Sequence, residues 1–131
     1  MLRNLLLIFT VLLPAYSFAE MVVVEKGSYT INGVKKDYVL EVDVADIDMA
    51  SKIDPTKDKL PMSINEAINI ALSAYKEKYK SEPWGISSVS FNHFPSRDHK
   101  DHWHFKVNIF GDPNANMVVL LNEKVVFPRI Q

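Results

Sequence analysis

Ser63–Lys80, reading SINEAINIALSAYKEKYK, decides the fold class of this chain. At about 100° per residue, Ile64, Ile68, Ala71, Leu72, Tyr75 and Tyr79 share one face, flanked by Ala67, Ala74 and Ile70. Glu66, Asn69, Ser73, Lys76, Glu77 and Lys80 form the opposite stripe. Ser63 with Glu66 three residues on is a capping box, in which the hydroxyl accepts from an orphan amide and the carboxylate reaches back. The pattern predicts one amphipathic helix over 63–80. Its apolar arc spans about 200°, against the roughly 100° that a single packed face requires. The helix is therefore expected to touch more than one flat sheet. A curved sheet, the N-terminal hairpin, or a second copy of the chain in a homodimer would supply the extra contact.

On either side the period changes from 3.6 to 2. After Pro83-Trp84-Gly85, residues Ile86 to Phe94 alternate with Val89, Phe91 and His93 on one side. Trp103, Phe105, Val107 and Ile109 alternate more cleanly, with His102, His104, Lys106 and Asn108 facing away. Gly111-Asp112-Pro113-Asn114 reads as a turn, and Met117–Leu121 with Lys124–Phe127 as a closing hairpin about Asn122-Glu123. Upstream, Met21-Val22-Val23-Val24 and Tyr29-Thr30-Ile31 lead to Asn32-Gly33, the dipeptide suited to a type I′ turn, and Val34 to Val44 returns. Symmetric pairing about that turn mixes the faces, setting Leu40 against Glu25 and Val42 against Val23. A bulge near Gly27-Ser28 is expected to bring Val24 opposite Leu40 and Val22 opposite Val42. The order ββ-α-ββββ predicts an α+β fold, one long helix packed on an antiparallel β-sheet. A single domain covers 20–131, with a hairpin at 20–44, a connector at 45–62, the helix at 63–80 and strands over 85–128.

The first nineteen residues, MLRNLLLIFTVLLPAYSFA, read as a secretory signal peptide: Arg3, an apolar run from Leu5 to Leu13, then Ser17 and Ala19 at the positions that signal peptidase reads. Nine apolar residues fall short of the roughly 20 a spanning helix needs, and no second apolar stretch approaches that length. Removing 19 of 131 residues leaves 112, enough for one core. The chain is expected in the periplasm or secreted, with no membrane attachment after cleavage. It has no cysteine, which excludes a lipid-anchored lipoprotein, disulfides, thiol catalysis and thiolate metal sites. The chain carries 15 basic and 16 acidic residues with no basic stripe, which argues against a nucleic-acid partner.

From Met62 to Phe127, Ser63-x-x-Glu66-Ala67-x-x-Ile70-Ala71, a strand, Trp103-His104-Phe105-Lys106-Val107 and then Val118-Val119-Leu120-Leu121-Asn122-Glu123-Lys124-Val125-Val126 follow one another. This succession resembles a PepSY-type domain, a small secreted module. The resemblance implies a helix on an antiparallel sheet and a regulatory or inhibitory binding role, often toward proteases, without a catalytic set. Where the family usually has an Asp-x-x-Thr-Gly turn this chain has Asn122-Glu123-Lys124. No functional residue is carried across.

Chemistry concentrates in one place. His93, His99, His102 and His104 lie within twelve residues, with Asp98 and Asp101 among them. Histidine is the commonest metal ligand, so a zinc, copper or nickel site is the sharpest expectation. If Phe91 pairs with Phe105, His93 lies opposite Trp103 on the core side, apart from His102 and His104. The candidate metal set is then His99, His102 and His104, with Asp98 or Asp101 as a fourth ligand. Asp43, Asp46 and Asp48 lack the glycine and distal glutamate of a calcium loop and read as a solvated acidic turn. Of the aromatic residues, Trp103, Tyr75 and Tyr79 belong to the periodic core pattern, while Trp84 does not. No Gly-x-Ser-x-Gly elbow, His-Glu-x-x-His pair or phosphate-binding glycine loop occurs. The leading expectation is an exported non-enzymatic module that binds a protein or peptide. A periplasmic transition-metal-binding protein ranks second, and a small hydrolase-type enzyme third.

Overall fold

The computed structural model describes residues 19–131, so the signal-peptide reading lies, but for Ala19, outside the described residues. Ser63 opens the long helix as its sequence predicts, its Oγ accepting from the Glu66 amide at 3.1 Å. Helix α2 then runs Ile64–Tyr79, and Lys80 closes it in the left-handed conformation at φ 53°. It follows a hairpin, β1 (Met21–Ile31) and β2 (Val34–Asp43), and a short helix α1 (Val44–Met49). After it come β3 (Ile86–His93), β4 (Trp103–Ile109), β5 (Met117–Leu120), β6 (Val125–Val126) and β7 (Arg129–Ile130). Single 3₁₀ turns fill Arg97–His99 and Pro113–Ala115. Among the described residues no helix is long and apolar enough to cross a membrane.

The α+β class is as expected, but the strands divide into two antiparallel sheets, ordered β1-β2-β7 and β3-β4-β5-β6. The four-stranded sheet is covered on both faces. On one, Phe105, Val107, Ile109, Met117 and Val119 meet Ala67, Ala71 and Tyr75 of α2. On the other, Val118 and Leu120 meet Val22, Leu40 and Val42 of the three-stranded sheet, with Phe94 and Ile47. The result is three layers: helix, four-stranded sheet, three-stranded sheet. The extra contact for the wide apolar arc of α2 comes from the connector, whose Ile53 and Met62 join the helix-side core. Ile64 points along the middle of that arc but stands in the first turn of α2, and it stays exposed.

Four local features depart from the sequence reading. The connector expected at 45–62 begins with α1, capped by Asp43, whose Oδ1 accepts from the Ala45 amide at 2.9 Å. The acidic turn is not merely solvated, because Asp46 pairs with Lys124 at 2.7 Å and Asp48 lies 3.2 Å from His99. The bulge falls between Val23 and Glu25 rather than at Gly27-Ser28, so Val22 does face Val42 but Glu25, not Val24, faces Leu40. An inward Glu25 is tolerated because Lys106 of β4 reaches it at 3.6 Å and Tyr38 Oη donates to it at 3.3 Å. Finally β7 crosses back to pair with β2, and the Arg129 guanidinium holds Glu41 at 3.0 Å.

Candidate functional site

The β3–β4 ladder has the register supposed from the sequence, Phe91 opposite Phe105 and His93 opposite Trp103. Its two ends carry different chemistry, separated by eight residues of β3, or about 25 Å at roughly 3.3 Å per residue.

At the Trp103 end lie the histidines. His93 is exposed, its ring edge-on to Trp103, and its Nδ1 donates to the Phe94 carbonyl at 2.8 Å. His104 was expected to face solvent, yet it is 2% exposed, because the three-stranded sheet covers that face. Its ring stacks on Phe94 at 4.3 Å, and burial, reinforced by the charges of Lys106 and His93, pushes its pKa down to about 4. His102, also expected outward, is 3% exposed. Burial lowers its pKa, with His99 acting in the same direction and Asp48 against it. His99 is buried in the loop, its ring centroid 5.7 Å from that of His102. Asp101 contributes least to this group, its charge being the weakest of the influences on His102. The residue lines a shallow cleft with Lys52, Ile53, Asp54 and Asp58, and its carbonyl accepts from the Ile53 amide at 3.0 Å. Asp98 is exposed. The fold thus brings His99 and His102 together, with Asp48 as the carboxylate, while His104 stacks between the sheets. Among the described residues no group of three or more histidine, aspartate and glutamate side chains is arranged to hold a metal ion.

The same loop contains an arrangement that the sequence did not suggest. Ser96 Oγ lies 3.0 Å from His99 Nδ1, and Asp48 Oδ1 lies 3.2 Å from His99 Nε2. A carboxylate only accepts, so Nε2 bears the proton and, in the neutral ring, Nδ1 accepts from the serine hydroxyl. Serine, histidine and aspartate are therefore in line, as an activated nucleophile requires. The neighbouring cleft is lined by Lys52, Ile53, Asp54, Asp58 and Asp101. What the chain of bonds does in this fold is fasten α1 to the β3–β4 loop. Asp48 comes from fifty-one residues upstream of His99, a separation at which sequence spacing carries no signal.

The opposite end of the ladder holds the larger opening. Trp84 is 91% exposed and Phe110 61% exposed, two large aromatic side chains left in water where they line a cleft. The cleft, of about 380 Å³, is lined by Tyr75, Trp84, Ile109, Phe110, Gly111 and Asp112. Its frame is ordered by backbone and side-chain bonds. The Phe110 amide donates to the Gly85 carbonyl at 2.8 Å, tying together the two segments that carry the aromatic rings. Gly85 and Gly111 take φ 151° and 78°, conformations that favour glycine, and so let the chain turn beside each ring. Tyr75 Oη donates to Asp112 Oδ2 at 3.2 Å, and Asp112 Oδ1 accepts from the Asn114 amide at 3.1 Å. Burial raises the Tyr75 pKa; a bond from Ser81 opposes this and the Asp112 charge adds to it. Tyr75 keeps its place in the helix-side core while presenting its hydroxyl here. Trp84 is the aromatic residue that the periodic pattern left unassigned.

Comparison of the chain with protein-family models, with curated proteins and with solved structures finds no match in any of the three.

Proposed function

We propose that this protein is an exported, non-enzymatic binding module that engages a protein or peptide through the Trp84–Phe110 cleft. The observation that carries the reading is the exposure of those two rings, at 91% and 61%, about a framed cleft. Tryptophan anchors are enriched among the residues that dominate binding energy, because they bury large area with few rotatable bonds. Tyr75 of α2 and Ile109 of β4 anchor the floor of the cleft, and the Phe110–Gly85 bond joins the two turn segments that carry the rings. Export rests on the signal-like residues 1–19, and the PepSY-type resemblance of Met62 to Phe127 supports a regulatory or inhibitory role.

The test is a random-peptide display selection on the full-length chain expressed in a bacterial host and recovered from outside the cytoplasm. The expected product begins at Glu20. Selected peptides are expected to bind it at least tenfold more tightly than they bind a Trp84→Ala/Phe110→Ala double variant. Recovery of the chain in the cytoplasm, uncleaved, would refute export. Selected peptides that bind the double variant equally well would refute the cleft as the binding site.

A further inference from the structure

Building on that reading, we propose that the Trp84–Phe110 cleft takes the guanidinium of an arginine presented by the peptide or protein partner. Among the described residues the cleft is lined by one carboxylate, Asp112, and by no lysine, arginine or histidine. Lys76, next to Tyr75 in sequence, is paired with Glu82 at 3.0 Å and is not part of the lining. Each Asp112 oxygen already accepts one bond, from Tyr75 and from Asn114. An ionised carboxylate offers about four acceptor positions, so both oxygens retain capacity.

The charge decides between ligand classes. An anion would meet Asp112 with no compensating cation. An apolar side chain would strip water from the carboxylate and leave its charge without a counter-ion, with only the Tyr75 and Asn114 bonds to offset the desolvation. A cation reverses the sign of that contribution and gains from the aromatic rings as well, because the face of tryptophan is the best π-surface for a positive group. Among cationic side chains the guanidinium suits the site best. It is planar, stacks on an aromatic face and presents donors in a fixed fork that matches a carboxylate, whereas an ammonium is a compact, strongly hydrated point charge.

The experiment titrates the blocked peptide acetyl-Gly-Arg-Gly-amide into the full chain as recovered. It follows the indole N–H resonance of Trp84, assigned with Trp84→Phe. Saturable binding tighter than about 10 mM is expected. The citrulline peptide, which has nearly the same shape and no charge, is expected to bind at least tenfold more weakly. Asp112→Asn keeps an oxygen for the Asn114 amide; it is expected to weaken the arginine peptide by a similar factor and the citrulline peptide by much less, because only the guanidinium loses an ion pair. Equal affinity for the two peptides, or no saturable shift with arginine, overturns the proposal. The two levels of the reading fail separately. Selected peptides that need Trp84 and Phe110 but contain no arginine refute the guanidinium alone, whereas peptides indifferent to both rings refute the cleft itself.

Discussion

Between the two sheets the His104 ring stacks on Phe94, its Nδ1 finds no hydrogen bond among the described residues, and burial holds its pKa at about 4. In the unfolded chain the same ring titrates near the ordinary value of about 6.5. Between those two values the unfolded state binds more protons, so stability rises with pH across that window. The contribution is fully present above about pH 6.5 and is lost as pH falls toward about 4, to the extent of roughly 3 kcal/mol. His102, lowered by burial and by His99, acts in the same direction. Urea unfolding at about pH 7.5 and about pH 4.5 is expected to show this loss in the native sequence. His104→Phe keeps a ring against Phe94 and accepts no proton, so its drop should be smaller by roughly 2–3 kcal/mol. Its stability at the higher pH should match or exceed that of the native sequence, since an unsatisfied buried nitrogen is removed. An unchanged drop would show that protons bind elsewhere. At this scale alternation puts Phe91 and Phe105 on one face, while their direct pairing, only supposed from the sequence, is seen in the structure. Alternation does not give the surroundings of His104: histidine, lysine and asparagine on one face read as solvent-facing, and only the second sheet makes that face an interior.

The β1–β2 hairpin shows what is legible in an element. Asn32 and Gly33, at φ 51° and 76°, form the turn that their identities predict. The bulge was not legible in position. Glycine in a strand reads as a bulge, yet Gly27 is regularly paired, opposite Tyr38. Its role is to leave room: a Cβ at Gly27 would lie 2.5 Å from the Tyr38 hydroxyl oxygen and 2.6 Å from Cζ. The tyrosine ring lies across the glycine and sends its hydroxyl to Glu25 at 3.3 Å. The actual bulge, at Val24, belongs to the inward turn of Glu25, and that depends on Lys106 from a strand about eighty residues away. Gly27→Val should therefore displace Tyr38 and lower stability by about 1–3 kcal/mol in denaturant unfolding, despite the higher strand propensity of valine. In a Tyr38→Ala background the same change should be neutral or stabilising, since the obstacle is gone. A loss of equal size in both backgrounds would place the role of Gly27 in the backbone rather than in the space above it.

At the scale of the molecule, Val118, Val119 and Leu120 are consecutive and all fully buried, which a strand achieves only when both of its faces are covered. The run Met117–Leu121 carried that information in the sequence, where an uninterrupted apolar strand differs from the alternating Trp103–Ile109. Polar residues on the second face of β4 concealed it. Because β5 takes part in both cores, Met117 and Val119 toward α2 and Val118 and Leu120 toward the hairpin, neither core can dissolve without exposing the back of the other. Lys106–Glu25 and Lys124–Asp46 also join the sheet region to the hairpin and to α1. The chain should accordingly unfold as one cooperative unit. Leu120→Ala opens a cavity in the sheet–sheet layer and Met117→Ala one in the helix layer, each lowering stability by about 2–5 kcal/mol. In both variants, native-state hydrogen exchange should give the same opening free energy for the Val42 amide in the outer sheet and the Val119 amide in the shared one. If Leu120→Ala instead lowered protection at Val42 alone and left Val119 unchanged, the hairpin would be a separate folding unit laid on a self-sufficient helix-and-sheet domain. The continuous burial of β5 argues against that outcome, since a four-stranded sheet without its hairpin would leave Val118, Leu120 and Phe94 against water.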